Sequence, residues 1–283
     1  MIQLGTYNTL NIDRQTSVGF YLVDEESGQD VLFPNQYIRP GMNVGEDMTV
    51  FVYKDNEQRL VATSERPFIT VGEFAYLEVT QVNNVGAFVD WGLRTKDLLV
   101  PFKNQANRMV EGKSYIVYLY EDEQSELLVA TSKINNFLET HVKDELQRGE
   151  EVQLLVRGYT DIGLNVIVNN DFHGLIYKSE IFGEITTGDK LKGYVLEIRP
   201  DGKLDISLSP IGYAKVEPSA QFVLDELKKN KGFLPFNDKS DPEDIRDMFF
   251  VSKKIFKKSI GALYKQKMID IKEDGIYLLT STE

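Results

Sequence analysis

The sequence predicts a mainly β chain with a C-terminal α+β domain: three tandem barrels of the OB type followed by a winged helix-turn-helix. Two observations predict it. A pattern of glycine, β-branched and aromatic residues recurs at a step of 67–68 residues, and beyond Pro210 strand-like texture gives way to helical spacing.

The repeat is anchored at three places. Val61-Ala62-Thr63-Ser64 recurs as Val129-Ala130-Thr131-Ser132, Val18-Gly19-Phe20-Tyr21-Leu22-Val23 pairs with Val85-Gly86-Ala87-Phe88-Val89-Asp90, and Leu32-Phe33-Pro34 matches Leu99-Val100-Pro101. A more divergent third copy runs through Ile162-Gly163-Leu164-Asn165-Val166-Ile167, Leu175-Ile176-Tyr177 and Ile206-Ser207-Leu208-Ser209. The copies are expected at 1–64, 65–135 and 144–212. Runs such as Tyr115-Ile116-Val117-Tyr118-Leu119-Tyr120 suit a pleated, half-buried surface. Asp55-Asn56-Glu57, Asp122-Glu123-Gln124-Ser125 and Pro200-Asp201-Gly202 are turn signals. Some five short strands in about seventy residues is the size of a barrel that hides its edges. Gly19, Gly86 and Gly163 are expected where a strand bends at a barrel corner.

The last segment, 213–283, predicts three helices and a hairpin. Ser219 to Asn230 has an N-cap serine and apolar Phe222, Val223 and Leu227. Ser240-Asp241-Pro242-Glu243 opens a second helix with a capping residue and a first-turn proline. Ser252 to Lys265 forms a third, with Ile255, Phe256, Ile260 and Leu263 on its apolar side. Met268–Ile271 and Gly275–Leu279 are strands joined at Lys272-Glu273-Asp274-Gly275.

The bulk numbers restrict the function class. The N-terminus lacks a basic stretch leading into an apolar run, no window reaches the length of a membrane span, and cysteine is absent; a cytoplasmic protein is expected. Net charge is −12, which argues against nucleic acid as a partner until its distribution is considered. Residues 1–212 carry 19 basic against 32 acidic side chains, whereas 213–283 carry 13 against 12. Positions 251–267 hold six lysines and no acid.

The second repeat, with Val71-Gly72-Glu73-Phe74, Val85-Gly86-Ala87-Phe88-Val89 and Asp97-Leu98-Leu99-Val100-Pro101, resembles the S1-type RNA-binding domain. The resemblance implies a barrel face on which bases stack beside cationic side chains. The stacking position after the glycine would be Tyr21, Phe88 and Asn165 in the three copies. The family's aromatic before the glycine is replaced by Val18, Val85 and Ile162, and its histidine by Pro34, Pro101 and Tyr177. Each copy therefore keeps an incomplete platform, and stacking is worth only about 1–3 kcal/mol per base. The third copy adds His173, Lys178, Arg199 and Lys203 and ranks first. A core role competes with stacking for Phe88; His173 reads as a solvated loop residue, and Trp91 as a cap on a barrel mouth.

Lys253, Lys254, Lys257 and Lys258 fall on one side of the third helix, and Lys265 and Lys267 extend the charge. With no acid nearby to offset them, they are read as phosphate contacts on a recognition helix. Enzyme readings fail: Gly112-Lys113-Ser114 has Asn107 where a phosphate-binding loop needs glycine, and His141 and His173 alone cannot build a zinc site. No cofactor or metal is expected.

The whole layout, most specifically the paired Val-Ala-Thr-Ser strands and the helix Ser252–Tyr264, resembles the conserved virulence factor B family. The resemblance implies RNA binding and control of virulence-gene expression. The expected function is a non-enzymatic regulator, a monomer that binds single-stranded RNA with little sequence specificity through the third repeat and the winged helix. Two alternatives stand beside it: a winged-helix regulator of duplex DNA, and an acidic scaffold for ribosomal or RNA-decay proteins.

Overall fold

The computed structural model describes residues 1–139, 142, 146–181, 183–210 and 218–279. His141, and the expected limits at 144 and 212–213, lie outside the described residues. The chain falls into two compact units, Met1–Phe137 and Leu138–Glu283.

In the first unit, β1 (Tyr7–Gln15), β2 (Gly19–Val23), β3 (Asp30–Pro34), β4 (Asp47–Lys54) and β5 (Leu60–Thr63) close a barrel in the order β1-β2-β3-β5-β4. Its ladders are antiparallel except for the β3–β5 pairing at Leu32 and Val61. Alternation along the strands puts Leu10 and Ile12, Phe20 and Leu22, and Val31 and Phe33 inside. A bulge at Asp13 bends β1 so that one strand pairs with both β2 and β4.

The second copy comprises β6 (Phe74–Val82), β7 (Gly86–Val89), β8 (Leu98–Pro101), β9 (Ser114–Asp122) and β10 (Leu127–Thr131), a five-stranded sheet in the order β10-β9-β6-β7-β8. Side chains span the seam between its end strands. Asn104 Nδ2 donates to the Ala130 carbonyl (3.2 Å), Thr131 Oγ1 donates to the Asn104 carbonyl (2.8 Å), and Gln105 Nε2 donates to the Val100 carbonyl (3.0 Å). The two buried amides thereby give the Ala130 and Val100 carbonyls a donor at the seam.

The first two copies share a core. Phe51, Tyr53 and Val61 of the first cluster with Ile69, Leu77 and Trp91 of the second. Trp91, 1% exposed, packs edge-on against Phe51 (centroids 5.7 Å apart) and Tyr53 (6.3 Å), and its Nε1 donates to the Lys96 carbonyl. The tryptophan expected to cap a barrel mouth instead fills the joint between two barrels, because its large apolar surface is removed from water there on both sides.

In the second unit, β11 (Glu151–Tyr159), β12 (Gly163–Val168), β13 (Phe172–Tyr177), β14 (Lys190–Ile198) and β15 (Leu204–Ser207) close a barrel with the strand order of the first. Its bulge falls at Arg157, as the others fall at Asp13 and Thr80. The winged helix follows: α1 (Pro218–Lys229), β16 (Phe233–Leu234), α2 (Pro242–Phe249), α3 (Lys253–Lys265), β17 (Ile269–Lys272) and β18 (Gly275–Leu278), with sheet order β16-β18-β17. Val223, Leu224 and Leu227 meet Ile245, Phe249, Phe256, Ile260 and Leu263 in its core. Asp241 caps α2 by accepting from the Glu243 amide (2.8 Å), with Pro242 at the first helical position; Ser252 caps α3.

Two expectations are corrected here. Ser219 lies inside α1 and is buried, accepting from Ser259 Oγ at 2.8 Å, so it ties α1 to α3 and does not cap the helix. Ile255 is 43% exposed and sits among the lysines, because the buried stripe of α3 runs through Phe256, Ser259, Ile260 and Leu263.

Gly19, Gly86 and Gly163 each open the second strand of their copy, and the reason for glycine is close approach rather than a corner. A Cβ would lie 2.1 Å from the Phe33 carbonyl oxygen, 2.4 Å from that of Val100 and 2.0 Å from that of Ile176. Such contact forces the neighbouring strand to move. Gly163→Ala is expected to lower stability by at least about 1–3 kcal/mol, measured as a shift in denaturant midpoint. A neutral outcome would contradict this contact.

Candidate nucleic-acid interface

The outer face of β12 and β13 is built by a two-residue register. Asn165 lies opposite Leu175, and His173, Leu175 and Tyr177 share one face of β13. Tyr177 ends that strand, where the chain turns into a short 3-10 segment at Lys178–Glu180, so its ring stands at the rim, 36% exposed. The β14–β15 turn brings Arg199 and Lys203 together, the Arg199 amide donating to the Lys203 carbonyl at 2.8 Å. Arg199 donates to Tyr177 Oη (2.8 Å) and pairs with the largely buried Asp205 Oδ1 (2.6 Å); Tyr177 Oη also donates to Asp205 Oδ2 (3.3 Å). The Asp205 bond raises the Arg199 pKa above its ordinary value, so this cation is permanent and its fork is held at the ring edge.

His173 is not a loop residue. It lies in β13 opposite Ile167, half-buried, with Nδ1 3.3 Å from Arg157 Nη1. Burial, then the charges of Arg157 and Lys203, lower its pKa, so the ring is neutral at pH 7 and presents a flat polar surface rather than a charge. Arg157, which the sequence reading passed over, owes its place to the β11 bulge. Burial lowers its pKa too. The rim adds exposed Tyr159 and Ile162, the latter adjoining Lys178 through a backbone bond (3.3 Å). Tyr177, Lys178, His173, Arg199 and Lys203 thus meet on one barrel.

The other sequence candidates are placed differently. The Tyr21 ring in β2 is covered by the Arg14 guanidinium, 4.3 Å from its centroid, and Arg14 is also paired to Asp13 and Asp30. Phe88 in β7 is half-buried and lines a cavity at the joint of the first two copies.

All six candidate lysines lie on or just beyond α3. Lys253 Nζ donates to the Ser240 and Lys239 carbonyls (2.6 and 3.3 Å), and Lys257 pairs with Asp238 at 3.8 Å. Lys254, Lys258, Lys265 and Lys267 are exposed. Lys254, Lys258, Gly261 and Lys265 follow helical spacing, and Gly261 has open space where a side chain would stand. Tyr264, 54% exposed, flanks the stripe. The sequence reading missed it, although its spacing from Lys257 and Gly261 was visible. The turn between β17 and β18 is only Glu273-Asp274, so the wing is short and acidic.

The His173 ring is expected to titrate below the ordinary histidine value of about 6.5. Arg157→Gln or Lys203→Gln should move it upward, because each removes a repelling positive charge; ring-proton shifts in an NMR pH titration would report it. An unmoved titration would show that these charges do not reach the ring.

The S1-domain family matches residues 4–65 and 71–133, and the CvfB-like winged helix domain matches 221–278. Both are nucleic-acid-binding domain types. Bacillus subtilis YitL, an uncharacterized protein, is 30% identical over 270 residues, covering 92% of this chain and 89% of its own. Conserved virulence factor B of Staphylococcus saprophyticus is 28% identical over 84% of this chain and 81% of its own. Its counterpart in Staphylococcus aureus N315 is 28% identical over 91% and 88%. A crystal structure of a multidomain Streptococcus pneumoniae protein with nucleic acid binding domains is 26% identical over 98% of both chains, with a TM-score of 0.43. Among the described residues no helix is long and apolar enough to cross a membrane. With two S1 domains, a third barrel of the same strand order and a CvfB-like winged helix, the chain belongs to the conserved virulence factor B family.

Proposed function

We propose that this protein is a cytoplasmic, monomeric regulator that binds single-stranded RNA, with little sequence specificity, through the third barrel and the winged helix. The observation that carries the reading is the clustering of Tyr177, Arg199, Lys203 and His173 on one face of the third barrel. An aromatic rim beside a fixed guanidinium matches the chemistry of single strands, whose unstacked bases offer flat faces and whose backbone offers phosphates. Lys254, Lys258, Lys265 and Lys267 would add phosphate contacts in the same unit. The staphylococcal relatives are named conserved virulence factor B, which supports a role in virulence; its exercise through gene expression is part of the proposal. The domain limits 1–64, 65–135, 144–212 and 213–283, and the absence of catalysis, belong to the same proposal.

Duplex DNA is the weaker reading. A winged helix on duplex usually adds contacts from its wing, and here the Glu273-Asp274 tip would meet phosphate with like charge. A scaffold for ribosomal or RNA-decay proteins would leave the Tyr177 face without a role.

Fluorescence anisotropy with a short labelled single-stranded RNA, across a salt series and beside duplex DNA, tests the proposal. Tyr177→Ala should weaken binding by roughly 5- to 150-fold, the equivalent of about 1–3 kcal/mol. Charge reversal of Lys254, Lys258, Lys265 and Lys267 should flatten the salt slope by roughly 0.7 per lost phosphate contact. Equal RNA affinity in both variants, or a preference for duplex DNA at equal salt, would overturn it.

A further inference from the structure

Several arginines of this acidic chain are neutralised by carboxylates: Arg14 pairs with Asp13 and Asp30, and Arg59 with Asp55 and Glu57. One place in the first unit departs from this. A groove of about 650 Å³ beside the first barrel is lined by Met48 and Arg66, and a pocket of about 380 Å³ by Arg94. The two meet at Arg39, Ser64 and Glu65, which line both. Each volume falls within the roughly 300–1,000 Å³ of ligand sites.

Three arginines stand around this opening with one carboxylate among them. Glu65 Oε2 accepts from the Arg94 backbone amide at 3.0 Å, while the Arg94 guanidinium lies 3.7 Å from Oε1 and is 90% exposed. Among the described residues no hydrogen bond or ion pair holds the Arg39 or Arg66 side chain, and both are exposed. The wall that carries them is fixed. The Phe68 amide donates to the Trp91 carbonyl (2.7 Å), and Tyr53 Oη shares a hydrogen bond with Thr95 Oγ1 (2.8 Å). Gly92, at φ +91°, admits the Arg66 carbonyl oxygen to 3.1 Å from where a Cβ would stand. The opening is not a requirement of the fold. At the step of 67, Arg39 corresponds to Ala106, whose amide donates to Ser132 Oγ at 2.8 Å, beside the seam that Asn104 and Gln105 close. The first copy leaves open, and lines with guanidinium, a place that the second copy closes.

We propose that this groove docks an acidic peptide segment of a partner protein, its carboxylates at Arg39, Arg66 and Arg94 and its apolar side chains at Met42 and Met48. Guanidinium matches carboxylate in a bidentate geometry, and methionine adapts to varied apolar groups. Glu65 places a negative charge at the shared wall, where it repels a continuous phosphate backbone and can accept a peptide N–H. The groove belongs to the first unit, and the proposal does not rest on the Tyr177 face of the second.

Fluorescence anisotropy of the full-length protein with a short labelled peptide of alternating glutamate and leucine tests it, with a peptide of alternating lysine and leucine as control. Only the acidic peptide should give a saturable rise. Arg39→Gln should weaken it roughly five-fold, and Arg39→Gln with Arg66→Gln roughly twenty-five-fold, as for two additive surface ion pairs. Thr49→Tyr adds bulk at an exposed strand position on the groove wall, keeps all three arginines, and should also weaken binding. Arg14→Gln removes a guanidinium of the same barrel outside the groove and should change nothing, which separates the site from net charge. Unlabelled single-stranded RNA should not displace the peptide. No saturable change up to about 1 mM would overturn the proposal. So would binding indifferent to both Arg39→Gln and Thr49→Tyr, or equal losses in Arg39→Gln and Arg14→Gln. Displacement by RNA would make the groove a phosphate track and overturn it as well.

Discussion

In each of the four sheets, a backbone carbonyl occupies the place where a strand-opening residue would carry its Cβ. The pairs are Gly19 with Phe33, Gly86 with Val100, Gly163 with Ile176, and Gly275 with Leu234, at 2.0–2.4 Å from the position a Cβ would take. Only glycine allows two strands to approach so closely. In the barrels this contact sets where β2, β7 and β12 begin relative to β3, β8 and β13. It therefore sets the places of Tyr21, Phe88 and Asn165 on the outer face, and of Pro34, Pro101 and Tyr177 at the rim. In the winged helix the same contact joins the hairpin to β16. One steric constraint thus positions the outer faces and rims of the three repeats and the hairpin of the winged helix.

What is built on that frame differs from copy to copy. In the first, Arg14 at the bulge covers the Tyr21 ring and is itself neutralised by two aspartates. In the second, the sheet leaves its end strands to side-chain amides and turns Phe88 toward the neighbouring barrel. In the third, the bulge carries Arg157 instead of an acid, and the cationic and aromatic groups stay on the surface. The bulge residue is Asp13 in the first copy, paired with Arg14, and Arg157 in the third, beside His173.

The lysines of α3 show why a charge run must be read with its neighbours. Lys253 spends its donors on the carbonyls before α2, an anchoring role in the turn between helices. Lys257 meets Asp238, which lies fifteen residues or more upstream of any predicted helix-face partner and was invisible to a windowed count. The stripe that remains open to solvent includes Gly261 and Tyr264, which no charge tally would select.

The sequence alone determined the repeat, the three barrels and the winged helix, because each depends on local information: two-residue alternation, helical spacing, caps at Asp241 and Ser252, and glycines that recur in register. It also brought Tyr177 to attention by its place in the motif, and Arg199 and Lys203 as cations of the third copy near that face. It did not disclose that Trp91 joins two barrels, that His173 is a neutral strand residue beside Arg157, that Ser219 is buried against Ser259, or that Ile255 faces solvent. Those depend on which surfaces meet at long range and on the field that buried charges create there. Periodicity says which face of an element is apolar, whereas only the assembled tertiary structure decides what that face touches and which polar groups lose their water.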